Sequence, residues 1–241
     1  MKLNALHIIL MALSIWIEYP VAAQNYVQDM GRIEQKFKEG DLSFKVKYLF
    51  YPYDSLKKVS DSMNAVCSQS NGEYYYKIAT DGKEYEYLKN SKYFFVVDHA
   101  EKGIAIRKSS EAQQQAWDIS RIDSIIRSPS VKVNYKSLGN SEAEYEVKLS
   151  EGVWTTIKLI FNTTTFRIDK LYMYSTRKGK MLGQNYSNPR IGIVYSDYSN
   201  GRVDKTIFNE SRFFTETTEG GVTLNELYKK YKVLNYLQKR S

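Results

Sequence analysis

The feature that most restricts the fold of this chain is a pair of turns, Asn71-Gly72 and Asp81-Gly82, set among short apolar–polar alternations. Asx-Gly pairs favour the left-handed turn whose twist matches two adjacent antiparallel strands. Residues 63–107 are therefore expected to form a meander, with Asn90-Ser91 and Lys102-Gly103 as its later turns. Just upstream, Leu42, Phe44, Val46, Tyr48 and Phe50 alternate with Ser43, Lys45 and Lys47, the pattern of a half-buried strand, and Pro52 stops it. A second meander is expected over residues 131–138, 142–149, 153–161 and 166–176, followed by a polar loop at 177–189 and a strand at 190–198.

Two segments break the period-two pattern. Tyr26, Met30, Ile33 and Phe37 recur at helical spacing before Gly40, predicting an amphipathic helix over residues 25–38. Ser109 and Ser110 can cap a second helix reaching about residue 127, with Ala112, Ala116, Ile119, Ile122 and Ile126 as its stripe. The tail fits either a helix carrying Leu224, Leu227, Tyr228 and Tyr231 or a terminal strand over residues 232–237. The expected fold class is α+β, mainly antiparallel: a large curved sheet or unclosed half-barrel of about eleven strands, lidded by two helices.

The N-terminus reads as a secretory signal. Lys2 precedes an apolar run from Leu6 to Ile17, and Val21-Ala22-Ala23 fits small-x-small cleavage before Gln24. The run is too short for a comfortable membrane span of roughly 20 residues. The expected organisation is a signal peptide at 1–23 and one domain at 24–241, of which 177–241 is a C-terminal extension. The expected location is the periplasm, with the extracellular space as the alternative. Cys67 is the only cysteine, so no intramolecular disulfide can form, and the core must hold the fold. Twenty-one tyrosines, ten phenylalanines and three tryptophans supply that core. The net charge of +8 is scattered along the chain rather than gathered into a stripe. That argues against nucleic acid as a partner and leaves attraction to an anionic membrane surface as the functional reading of the charge.

Catalytic groups are scarce. His99 is the one histidine after the apolar run, and Asp98 and His99 would point to opposite faces of a strand. The expected reading is that Asp98 opens a turn completed at Gly103, with His99 solvated beside it. Glu84 and Glu86, and likewise Glu142, Glu144 and Glu146, share a strand face and read as the wet side of a sheet. Cys67 reads as a buried, inert thiol. No catalytic residue, metal site or cofactor is expected, and the chain does not read as an enzyme.

The order of the first helix, the strand "LSFKVKYLFYP", the meander "YYYKIATDGKEYEYLKNSKYFFVVDHAEKGIAI" and a mid-chain helix resembles the periplasmic lipoprotein-carrier (LolA-like) superfamily. The pair "EAEYEVKLSEG" and "IKLIFNTTTFRIDKLYMYS" is similar to that family's second meander. The resemblance implies an unclosed barrel enclosing an apolar cavity for acyl chains, and a non-catalytic carrier of lipids or acylated proteins in envelope lipid or lipoprotein handling. The alternative is an envelope scaffold with a filled core. The inward phase of each strand is the candidate lining: Phe44, Val46, Tyr48 and Phe50; Tyr93, Phe95 and Val97; Ile104 and Ile106; and Tyr145, Val147, Ile157, Leu159 and Phe161.

Overall fold

The computed structural model describes residues 18–38, 40–52, 59–111, 131–150, 152–181, 184–201, 203–218 and 221–235. Helix α1 (Glu18–Lys38) leads into β1 (Leu42–Tyr51). The first meander is β2 (Asp61–Ser70), β3 (Glu73–Thr80), β4 (Lys83–Lys89), β5 (Tyr93–Asp98) and β6 (Gly103–Lys108). The second is β7 (Lys132–Gly139), β8 (Glu142–Lys148), β9 (Trp154–Asn162) and β10 (Ile168–Ser175). A hairpin of β11 (Lys178–Met181) and β12 (Gln184–Ser187) precedes β13 (Arg190–Asn200). The tail carries β14 (Phe214–Glu216), β15 (Val222–Leu224) and β16 (Lys232–Asn235).

Twelve of these strands form one open sheet in the order β16-β6-β5-β4-β3-β2-β1-β13-β10-β9-β8-β7. Neighbours are antiparallel except β16, which runs parallel to β6. The two meanders thus fan out from the central β1–β13 pair. Asn71 and Gly72 (φ 49° and 81°) and Asp81 and Gly82 (φ 43° and 74°) adopt the left-handed turns that their sequence calls for.

One local expectation is corrected and one alternative decided. The loop expected at 177–189 contains the β11–β12 hairpin, and of the two readings of the tail the terminal strand is the one formed, as β16, with only a single tight turn at Glu226–Tyr228 before it. The second helix falls on residues outside those described, apart from a short turn at Ser109–Glu111. No helix among the described residues is long and apolar enough to cross a membrane.

Residues paired across neighbouring strands share a face, which lets the two sides of the sheet be read from the register. On the first side, called here the helix face, α1 buries Tyr26, Met30 and Ile33 against Tyr145, Val147, Ile157, Leu159 and Phe161. Tyr26 meets Tyr145 edge to face at 4.7 Å. The end of the helix is tied to the sheet by Gln69, whose Nε2 donates to the Phe37 carbonyl, and Gly40 at φ 70° turns the chain into β1.

The opposite face of the second meander is wet, as expected. Lys158 lies between Glu144 (3.5 Å) and Glu146 (2.9 Å) there. The opposite face of the first meander is covered over its outer strands and exposed at Val66. Phe213 and Phe214 cover Phe95 at ring distances of 4.9 Å and 5.5 Å, over Leu88, Val97, Ile104 and Ile106, all fully buried. Asn90 fastens this cover by donating from Nδ2 to the Phe208 carbonyl (3.0 Å) and to Glu210 Oε2 (2.7 Å).

Arg190 begins β13 on that same opposite face and is 1% exposed. Its guanidinium lies 4.3 Å from the Tyr51 ring centroid, 5.3 Å from Tyr172 and 5.2 Å from Tyr174. Nη1 donates to Tyr174 Oη at 3.4 Å, while Nε and Nη2 have no hydrogen-bond partner among the described residues. Ring faces offset part of the cost of burying a cation, worth about 2 kcal/mol at best per contact, whereas the two bare donors each cost about 1–3 kcal/mol.

Two stability outcomes follow from this packing. Ile33→Ala removes the most buried contact of α1 and is expected to cost about 2–5 kcal/mol in chemical denaturation. Arg190→Met keeps the stem and deletes the bare donors, so its denaturation midpoint should equal or exceed that of the natural chain. A drop of several kcal/mol would show that the guanidinium itself is required.

Candidate functional site

Between the part of the helix face held by α1 and the outer strands of the first meander lies a strip of apolar and phenolic side chains, of which Phe44, Val46, Ala65, Cys67 and Tyr76 are buried and the rest half-buried. Its rows follow the register: Ile193, Tyr48 and Met63; Tyr195, Val46, Ala65 and Ile78; then Phe44, Cys67, Tyr76 and Tyr87. Among the described residues, Phe37 at the end of α1 is the one side chain from outside the sheet in this cluster. Phe37 stands edge-on to Phe44 at 5.6 Å and to Tyr195 at 6.2 Å, closing the strip on the helix side.

The polar atoms of the strip are few and neutral. Tyr76 Oη donates to Tyr48 Oη at 2.5 Å. Burial pushes the Tyr48, Tyr76 and Tyr195 phenols above their ordinary range, and it pushes the Cys67 thiol up to about 12. None of these side chains is charged at neutral pH. Cys67 is a thiol and not a nucleophilic thiolate there. The strip can receive an apolar group along the sheet and give it a hydroxyl contact, and it holds no acid–base pair.

The fourteen expected lining residues separate into three groups. Phe44, Val46 and Tyr48 lie in the strip, with Phe50 half-buried at its end, paired with Asp61. Tyr145, Val147, Ile157, Leu159 and Phe161 share the face but are packed beneath α1. Tyr93, Phe95, Val97, Ile104 and Ile106 are on the opposite face, under Phe213 and Phe214. The register carries this division, since Phe44 pairs with Cys67, Cys67 with Tyr76, Tyr76 with Tyr87 and Tyr87 with Val96, not Val97. In β5 the fully buried phase marks the face that the tail covers, so alternation alone does not tell that face from the helix face. Tyr76, Ile78, Ile193 and Tyr195 were not anticipated. The run Tyr74-Tyr75-Tyr76 was the available signal, because unbroken aromatics suit a strand covered on both faces.

The reading of His99 needs a similar correction. Asp98 does open the turn, accepting from the Glu101 amide at 2.9 Å, with Lys102 at φ 50° before Gly103. His99 itself is only partly solvated, its side chain 22% exposed. Its amide continues the ladder to the Glu84 carbonyl (3.0 Å), and its ring lies between Glu86 and the tail. Nε2 is 2.7 Å from Glu86 Oε1, and Nδ1 is 3.0 Å from Tyr231 Oη. Glu86, expected on a wet face, is 5% exposed for the same reason: the tail covers it.

One small cavity opens between the last turn of α1 and β1, lined by Lys36, Phe37, Leu42, Arg167, Tyr198 and Asn200. Its volume of about 60 Å³ suits water molecules rather than an acyl chain.

No family model matches the chain, and no curated protein matches it. Among solved structures it is similar to an uncharacterized conserved protein from Thermus thermophilus, at 6% identity and a TM-score of 0.48, over 76% of this chain and 91% of that one. It is also similar to a LolA superfamily protein from Nitrosomonas europaea, at 13% identity and a TM-score of 0.37, over 76% and 97% of the two chains. A third is an outer membrane lipoprotein-sorting protein domain from Vibrio parahaemolyticus, at 9% identity and a TM-score of 0.37, over 77% and 96%. The superfamily that the sequence pattern resembles is thus among the structural neighbours.

The strip makes a direct chemical prediction. Iodoacetamide at pH 8 should leave Cys67 unlabelled in the native protein and label it fully in guanidinium chloride. Labelling of the native protein at the rate of a free thiol would show that the strip is open to solvent.

Proposed function

We propose that this chain is an exported, non-catalytic binding protein or carrier, which receives an acyl chain or the lipid part of an acylated protein against the Val46–Tyr48–Ile78–Tyr195 strip. The supporting observation is the strip itself: a neutral, phenol-edged apolar surface on the helix face, flanked by α1 and touched from outside the sheet by Phe37 among the described residues. The sequence-level resemblance to lipoprotein carriers points the same way. Each methylene taken from water onto such a surface contributes about 0.8 kcal/mol, so even a short acyl segment gives useful affinity. The leader-like N-terminus agrees with work in the periplasm. The dispersed positive charge would favour approach to an anionic membrane surface.

Native mass spectrometry of protein purified from its host, together with displacement of a fluorescent fatty acid, tests this reading. The expected result is a bound acyl species. Ile78→Asn, in the strip, should weaken binding at least about tenfold, or about 1.4 kcal/mol. Val66→Asn, one residue from Ala65 and exposed on the opposite face, should leave binding unchanged. No co-purifying lipid and no fatty-acid binding would overturn the carrier reading in favour of an envelope scaffold with a filled core.

A further inference from the structure

The cluster around His99 lies on the opposite face from the strip and has no part in the proposed carrier function. Glu84 and Glu86 stand two apart on β4 and so project to one side, and His99 is held across from them by its ladder bond to Glu84. Their donor atoms all lie within 4.8 Å of one another. Nε2 of His99 is 2.7 Å from Glu86 Oε1 and 3.7 Å from Glu84 Oε1. A tetrahedral ion with ligands at about 2.0–2.2 Å needs donors roughly 3.4 Å apart, so side-chain rotation alone brings these three into place.

We propose that Glu84, Glu86 and His99 form a binding site for a zinc-class divalent cation that pins the C-terminal segment to the first meander. The surrounding contacts are divided as such a site requires. His99 Nε2 and Glu86 Oε1 are hydrogen-bonded at 2.7 Å, and a cation would take the place of the shared proton. The other ring nitrogen is held by Tyr231 Oη, the outer contact that fixes the tautomer and orientation of a ligating imidazole. Glu86 Oε2 accepts from Tyr75 Oη at 2.6 Å, with Arg212 Nη2 at 3.9 Å, and this leaves Oε1 for the ion. The Glu86 side chain is 6% exposed and is fixed by these partners. The Glu84 side chain is 39% exposed, so the ion has a way in and water can complete the shell. Lys77 Nζ, 2.7 Å from Glu84 Oε1, is a resident competitor on an exposed, flexible stem that can swing away. One imidazole and two carboxylates suit zinc, and cobalt can replace it as a spectroscopic probe.

Tyr231 immediately precedes β16, the strand that the tail adds in parallel beside β6. A cation gripped by β4 and the end of β5, with Tyr231 in its outer shell, would hold the tail over Phe95 and Ile104.

The test is titration of untagged, chelator-treated full-length protein with zinc chloride and, separately, cobalt chloride. The expected result is saturation at one equivalent, a rise in melting temperature, slower proteolysis of the tail, and visible cobalt absorption. His99→Ala should abolish all four. Glu84→Gln, at the exposed ligand, should weaken binding at least tenfold without unfolding the protein. Tyr231→Phe should cost roughly tenfold through the outer shell. Lys77→Ala should tighten binding by removing the competitor. Absence of saturable one-equivalent binding would overturn the proposal, as would binding indifferent to both His99→Ala and Glu84→Gln.

Discussion

An open sheet of twelve strands leaves two faces and two edges to be protected, and this chain has no disulfide with which to reduce the demand. Apolar surface left in water costs about 25 cal/mol per Å². The described structure meets the need from the two ends of the chain. The N-terminal helix α1 seals the helix face over β8, β9 and β10. The C-terminal segment seals the other face over β4, β5 and β6 and adds β16 at that edge. Each cover is fastened at a polar point, Gln69 to the Phe37 carbonyl in one case and Asn90 to the Phe208 carbonyl and Glu210 in the other.

Because the covers lie on opposite faces, the outer strands of the first meander are covered on the side that the second meander leaves wet. Adjacent residues of β3 and β4 therefore serve different ends. Tyr76 and Tyr87 belong to the strip, while their neighbours Tyr75 and Glu86 belong to the cluster beneath the tail. Among the described residues, the strip is the part of the helix face beyond the end of α1 at Lys38, and it is neutral because burial holds its phenols and thiol protonated. The opposite cluster is rich in charge: Glu84 and Glu86 lie against His99, Lys77 pairs with Glu84, and Arg212 stands beside Glu86. Binding of an apolar group and binding of a cation would thus take place on two sides of the same strands.

The local elements were well marked in the residues. The Asx-Gly turns, the alternation from Leu42 to Phe50 and the spacing of Tyr26, Met30, Ile33 and Phe37 are short-range signals, set by backbone sterics and by the period of each element. They determined the antiparallel meanders, the buried face of α1 and, through the lone cysteine, a fold held by its core. Ala143, Tyr145 and Val147 likewise marked their own buried face, because Glu142, Glu144 and Glu146 opposite them meet water.

What alternation cannot say is which side of a sheet a dry face is on, or what dries it. Phe95 and Val97 look inward in the sequence as much as Val46 does, yet a register reaching across five strands puts them on the other side. The partners that bury them, Phe213 and Phe214, are more than a hundred residues away along the chain. The same long-range fold turned His99 from a turn residue into the centre of a carboxylate and tyrosine cluster, with Tyr231 brought to its ring. The sequence by itself determined α1, the strands of the two meanders and the apolar phase of each of them. Only the tertiary structure decided which phase faces the helix and which the tail, because that choice is made by contacts between residues far apart in the chain.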